Sequence, residues 1–207
     1  MIWVDLHVHS SASPDCQVSP LDVATRCARF GFDPIFLTDH NTIDGALELR
    51  RHGSFQVVVG QEVMTAEGEM IGLFLETAVP TGLTAAETAA RIKEQGGLVY
   101  LEHPYDQFRR HLSEEAIERI AAMIDIVEVF NGRSDAEANR KAQDLCDTLG
   151  VAAGAGSDSH SLRSIGSVYV EMEHFSGPAD FLGKLRRSKI VKGRNRFLLM
   201  AEARLRR

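Results

Sequence analysis

From end to end the chain alternates short apolar runs with segments of helical periodicity, and that rhythm narrows the fold more than any other feature. Residues 2–7 read as a strand. Ser19-Pro20 opens a helix to about Phe30, with Ser19 as N-cap and Pro20 in the first turn, and Gly31 ends it. Ile35-Phe36-Leu37 is a short buried strand, followed by a helix from Thr42 to about Arg51. Gln56 to Gly60 is a strand, and Met70 to Glu76 another after a turn at Glu67-Gly68. Thr84 to Gln95 is helical, with Thr84 and Glu87 forming a capping box. In the second half, strands at Leu98–Leu101, Ile126–Phe130, Val151–Ala155 and Val168–Glu171 alternate with helices from Ser113 to Met123, Ser134 to Leu149 and Pro178 to about Arg187. About seven such units imply a parallel sheet with helices outside, and they favour a closed or nearly closed barrel. An open doubly wound sheet would normally carry a Gly-rich loop after its first strand, and Ser10-Ser11-Ala12-Ser13 has no Gly.

At 207 residues the chain has room for one domain, 1–207, with a substantial core. No apolar run approaches the roughly 20 residues of a membrane-spanning helix, and no secretory signal is visible. Cys16, Cys27 and Cys146 are odd in number and widely spaced, so reduced thiols in a cytoplasmic protein are expected. The net charge is −6, yet a segment at about 184–207 is basic, with Glu202 its only acid. It reads as a phosphate- or nucleic-acid-binding tail or as a solvated basic terminus.

Chemistry gathers at the strand ends. His7 and His9 are two apart in an extended run and share a face, so their imidazoles stand side by side. Asp158 and His160 repeat that spacing late in the chain. Between them, Asp39-His40, Glu62 and His103-Pro104 each close an apolar run. His52, His111 and His174 lack such partners and read as surface or structural residues. Imidazole and carboxylate together suit Zn, Mn or Fe, and several acids in one site point to more than one ion. Phosphate needs forked cationic donors. Arg133 is the first candidate, then Arg109 or Arg110, then Arg163, with Asn131 orienting a ligand or substrate. Asp39 reads as the partner that fixes an imidazole tautomer.

The segments Asp5-Leu6-His7-Val8-His9-Ser10, Thr38-Asp39-His40-Asn41-Thr42, His103-Pro104 and Gly156-Ser157-Asp158-Ser159-His160 resemble, in order, the four motifs of the PHP (polymerase and histidinol phosphatase) superfamily. The resemblance implies an α/β fold, a distorted (β/α)7 barrel with its metal site at the C-terminal strand ends, holding two to three divalent ions. It implies phosphoesterase activity by a metal-activated water on a phosphomonoester, nucleotide or nucleic-acid end, with no membrane partner. By position, His7, His9, Glu62 and Asp158 resemble the ligands of one metal, with Glu62 bridging to a second that His103 also holds. Asp15, His40 and His160 resemble a third set, and His40 and His160 are also candidates for proton transfer. Many relatives place another His shortly after the bridging Glu. Thr65-Ala66-Glu67-Gly68-Glu69-Met70 has none, so Glu69 is the candidate substitute. Glu102 is expected to face away from His103 and is left out of the ligand set. Two other classes fit less well. A non-catalytic metal-stabilised binding module would have lost ligands, and an amidohydrolase-like enzyme would commonly show a bridging Lys at a strand end.

Overall fold

The computed structural model describes residues 1–192, so the basic segment beyond Lys192 lies outside the described residues. In chain order the elements are β1 (Ile2–Val4), α1 (Pro20–Phe30), β2 (Ile35–Leu37), α2 (Asp44–His52), β3 (Val57–Met64), β4 (Glu69–Leu73), α3 (Ala85–Glu94), β5 (Leu98–Leu101), α4 (Glu114–Ile120), β6 (Ile126–Asn131), α5 (Ala136–Leu149), β7 (Ala152–Gly156), β8 (Val168–Met172), α6 (Gly177–Leu185) and β9 (Lys189–Lys192). The caps read from sequence form as expected. Ser19 accepts from the Asp22 amide, Gly31 takes the left-handed conformation, and the Thr84–Glu87 capping box is complete.

The strands make a curled six-stranded sheet, ordered β2-β3-β4-β5-β6-β7, and a three-stranded sheet, β1-β8-β9. Strand pairing departs from all-parallel order in two places. β4 runs antiparallel to both β3 and β5, and the β1-β8-β9 sheet is antiparallel throughout. The first departure has a local cause. Residues 65–68 form a tight hairpin turn in which the Thr65 amide and hydroxyl both donate to the Gly68 carbonyl. Gly68 has φ +136°, and a Cβ there would sit 2.5 Å from the His111 carbonyl oxygen, so only Gly fits. A hairpin this short leaves no room for a crossover helix. It also brings Glu69 back opposite Met64, at the same end of the sheet as the C-terminus of β3.

Residues 6–9 run past β1 between the two edge strands of the larger sheet. Leu6 donates to the carbonyl of Ala155 in the edge strand β7 and His9 to that of Ser159 just past it, and the Thr38 amide, just past β2 at the other edge, donates to the Val8 carbonyl. The curl is thereby bridged at the end where the candidate ligands lie.

Side-chain alternation divides the inner face of the sheet along its length. Phe36, Val58, Leu73, Tyr100 and Ile126 pack with Val4, Leu6 and Phe181 into one apolar cluster. Continuing two residues at a time toward the other end, the same faces carry Glu62, Glu69, Glu102 and Glu128, all buried. The opposite faces, Leu37, Val59, Val99, Leu101 and Val127, pack under the helices with Val23, Leu49, Ile92, Ile117 and Ala142.

Candidate metal centre

Glu62, in β3, sits at the middle of the buried end. Its Oε2 lies 3.2 Å from Nε2 of both His7 and His9 and 3.3 Å from His40 Nδ1, while Oε1 lies 3.2 Å from His103 Nε2. His7 and His9 Nε2 are 3.0 Å apart, and Asp158 Oδ1 is 3.8 and 3.5 Å from them. Farther out, Asp15 Oδ2 is 3.0 Å from His160 Nε2 and 3.5 Å from His40 Nε2, and Glu69 Oε1 is 3.7 Å from His40 Nδ1. All nine residues proposed as ligands from the sequence therefore meet in one region: His7, His9, Asp15, His40, Glu62, Glu69, His103, Asp158 and His160.

Backbone geometry explains how consecutive residues enter one site. Asn41, His103 and Asp158 all have positive φ, at 60°, 28° and 50°. Each breaks the two-residue alternation where a strand stops, the kind of strain that concentrates at functional sites. This corrects the expectation that Glu102 turns away. Alternation already points Glu102 inward with Tyr100, and the left-handed His103 folds its own side chain back to the same side. Glu102, Glu62 and His103 each offer an atom within 4.8 Å of the others. Glu102 Oε2 accepts from the Ile71 amide, and its buried Oε1 has no hydrogen-bond partner among the described residues.

A second layer fixes the ring nitrogens. Glu128 Oε1 takes His7 Nδ1 at 3.2 Å, and its two oxygens also accept from the Tyr100 hydroxyl, the His103 amide and Asn131 Nδ2. Ser13 Oγ donates to Asp39 Oδ1 and lies 3.2 Å from His9 Nδ1, so it is free to accept from that ring. Asp39, read from the sequence as a partner that fixes an imidazole tautomer, stands one group removed from the rings. It holds Ser10 and Ser13, and reaches His9 through the Ser13 hydroxyl. Asp5 accepts from the Ser157 amide and hydroxyl, tying the first motif to the last. Gly156 permits that approach, since a Cβ there would sit 2.3 Å from the His7 Cβ.

With Nδ1 of His7 and His9 engaged by acceptors, Nε2 is the atom of each ring left to take a proton or a metal. Burial pulls His7 down, but Glu128, Asp158 and Glu62 outweigh it and hold it well above its ordinary value; His9 is raised likewise to about 9. Against burial, the neighbouring imidazoles hold Glu62 and Asp158 well below the carboxylate range. The pocket thus collects anionic oxygens that require positive charge between them, and the donor set of imidazole nitrogen and carboxylate oxygen suits a divalent cation.

At the rim, burial holds His40 and His160 below their ordinary values. Arg133 Nη1 lies 2.8 Å from His160 Nδ1 and 3.4 Å from Asp158 Oδ1, while Arg109 Nη2 donates to Asp158 Oδ2 at 3.1 Å. Asn131 lies beneath, its Nδ2 between Glu128 and Asp158. A cavity of about 220 Å³ opens here, lined by Asp15, His40, Glu62, Glu69, Asp158 and His160 among others, with Arg109 and Arg110 on its wall. Arg163 is exposed and does not line it. The residues that sequence reasoning missed, Glu128 and Ser13, had one usable signal between them: Glu128 is an acid within the apolar run 126–130.

Fold and cluster together define an α/β protein with a buried imidazole–carboxylate centre at one end of a curled sheet. The chain belongs to the PHP family: residues 5–150 match the PHP domain, and residues 136–190 match the PHP-associated C-terminal family. Two uncharacterized proteins of Methanocaldococcus jannaschii are similar. One is 39% identical over 61% of this chain and 80% of its own length, the other 31% identical over 94% and 84%. Among solved structures, a two-domain protein of Bacteroides vulgatus containing a predicted PHP-like metal-dependent phosphoesterase superposes with a TM-score of 0.73, at 18% identity over 93% of this chain and 65% of that one. The lesion-specific endonuclease PfuEndoQ of Pyrococcus furiosus superposes with a TM-score of 0.66, at 16% identity over 91% of this chain and 57% of that one. Among the described residues, no helix is long and apolar enough to cross a membrane. The three cysteines are unpaired and buried.

Proposed function

We propose that this protein is a metal-dependent phosphoesterase acting on a phosphomonoester, a nucleotide or a nucleic-acid end, built on a distorted (β/α)7-type barrel. The observation that supports it most is the meeting of the imidazole–carboxylate cluster with two guanidiniums, Arg109 on the cavity wall and paired with Asp158, and Arg133 beside Asp158 and His160. Such a site can hold cations and a phosphate together.

In this reading His7, His9, Glu62 and Asp158 would hold an inner ion, and Glu62 with His103 would help hold a second, to which Glu69 and Glu102 are near enough to contribute. Asp15, His40 and His160 would hold a third. When bound, such ions polarise a phosphoryl oxygen and lower the pKa of an attacking water. Arg133 and Arg109 grip the non-bridging phosphate oxygens in forked geometry. Asn131 keeps Asp158 in place, and Glu128 and Ser13 keep Nε2 of His7 and His9 directed inward. In hydrolysis the water oxygen bonds to phosphorus, the bond to the ester oxygen breaks, and the leaving oxygen gains a proton. His40 and His160 stand at the mouth, where that proton can be carried.

The test is elemental analysis after reconstitution with Mn or Zn, followed by turnover on a panel of phosphoesters. Two to three ions per chain are expected, with hydrolysis lost on chelation and regained on adding metal. A protein that binds no transition metal would overturn the reading. One that binds metal and turns over no phosphoester would be a binding module instead.

A further inference from the structure

Phe108 is 85% exposed, the most exposed large apolar side chain among the described residues. It stands on the wall of the same 220 Å³ cavity that holds the cluster. Scattered exposed apolar residues need no explanation, but an aromatic ring at the lip of a charged cavity does. The backbone beneath it is pinned. Asp106 accepts from the Phe108 and Arg109 amides and from Ser134 Oγ, and the Arg110 carbonyl accepts from the Glu69 amide. The ring is thus carried on an anchored turn, and it stacks on no other ring among the described residues. Its chain neighbours add charge: Arg109 turns inward to Asp158, while Arg110 lies exposed on the wall in no ion pair among the described residues.

Size separates the two parts of a substrate. Sites that engulf a small molecule run to roughly 300–1,000 Å³. This cavity is smaller and polar, so it takes the phosphoester and leaves whatever the phosphate is attached to at the lip. There the structure offers a flat apolar face flanked by guanidinium groups, the combination that recognises a base next to a phosphate. Building on the phosphoesterase reading, we infer that Phe108 is a stacking platform for a nucleobase, so that the substrate is a nucleoside phosphoester rather than a sugar or polyol phosphate. The base can belong to a free nucleotide or to the end of a single strand.

Phe108→Trp supplies a test independent of turnover, because the chain's single Trp, Trp3, is buried. Titrating the metal-reconstituted variant with a nucleoside 5′-monophosphate should quench the new indole fluorescence, and ribose 5-phosphate should not. A 5′-phosphorylated single-stranded oligonucleotide, compared with the mononucleotide, shows which source binds more tightly. In kinetics, Phe108→Ala should lower the ratio of kcat/KM for the nucleotide to that for ribose 5-phosphate by about 5- to 150-fold, the range for one base–aromatic stack. Phe108→Trp should restore the ratio. Equal quenching by both ligands, no quenching, or an unchanged ratio overturns the inference while leaving phosphoesterase activity standing. Quenching by the nucleotide without hydrolysis of any ester supports the platform and removes the phosphoesterase reading.

Discussion

The floor and the rim of the candidate centre are built differently. On the floor, the side chains of His7, His9, Glu62 and Asp158 are 0%, 0%, 1% and 4% exposed. The ring-proton positions of His7 and His9 are set by Glu128 and Ser13, groups equally buried. At the rim, His160 and Arg133 are 16% and 40% exposed, and Asp15 reaches 53%. The difference teaches where each property is set. A charge cluster buried this deeply has no solvent to compensate a lost partner, so its composition is rigidly specified. A cluster in contact with water can lose a member and be partly rescued by solvent. On this reading the floor holds the inner ions, and the rim sets the outer ion and what is bound over it.

The sharpest break in that comparison is removal of a floor ligand. His9→Ala and Asp158→Ala should each lower phosphoester hydrolysis by on the order of 10²–10³-fold or more, comparable to losing a preorganised electrostatic group. Far-UV circular dichroism should remain near wild type, because the apolar core supplies most of the stability at this size. Activity retained in either variant would contradict the floor assignment, and unfolding of both would make the metals structural.

Next comes the layer behind the floor. Glu128 receives four donors on two carboxylate oxygens, and Glu128→Gln would leave one acceptor and turn an NH2 toward the rest. About 10- to 100-fold weaker metal binding is expected, measured by titration calorimetry. Unchanged affinity would show that the ring orientation of His7 is set elsewhere.

A rim cation should matter less and in a different quantity. Arg133→Ala should lower kcat/KM roughly 10- to 100-fold, the loss of one charge-assisted contact, while metal content stays at the wild-type value. Arg133→Lys should recover part of it, since Lys keeps the charge without the fork. The smallest effect is expected for Asp15→Asn, below about tenfold, because Asp15 is the most exposed of the proposed ligands, Asn keeps an oxygen donor, and His40 and His160 remain to hold the outer ion with water. If elemental analysis of Asp15→Asn instead showed loss of all ions, floor and rim would be one cooperative unit.

The candidate ligands that meet at the cavity were legible because most are metal-binding residue types placed where an apolar run stops, and because the motifs recur in family order; Asp15 and Glu69, in polar loop and turn, were read from position alone. What lay behind them was harder to read. Ser13 looks like any residue of a Ser-rich loop until the fold brings Asp39 beside it. Glu102 was misjudged because strand periodicity, sound through Tyr100, fails at a left-handed His103, and nothing in the dipeptide announces that turn. The hairpin at residues 65–68 was visible as a turn, but its consequence was not: a turn fixes where a strand begins, while antiparallel pairing with β5 is decided by partners about 30 residues away. β9 escaped notice because its four residues, Lys189–Lys192, are half basic and sit on an edge, where burial imposes little pattern.

Asp5 and Ser157, joined by two hydrogen bonds across 152 positions of sequence, carry a consequence for the order in which the protein matures. A growing polypeptide that has displayed His7, His9 and Glu62 still lacks Asp158, so on the proposed ligand set it exposes an incomplete site during synthesis, with one carboxylate missing. Contacts of such separation form late, after shorter loops have closed. If the proposed ligand set holds, metal loading would be a closing event of biogenesis, governed by the ions available when residues 157–160 dock against residues 5–9.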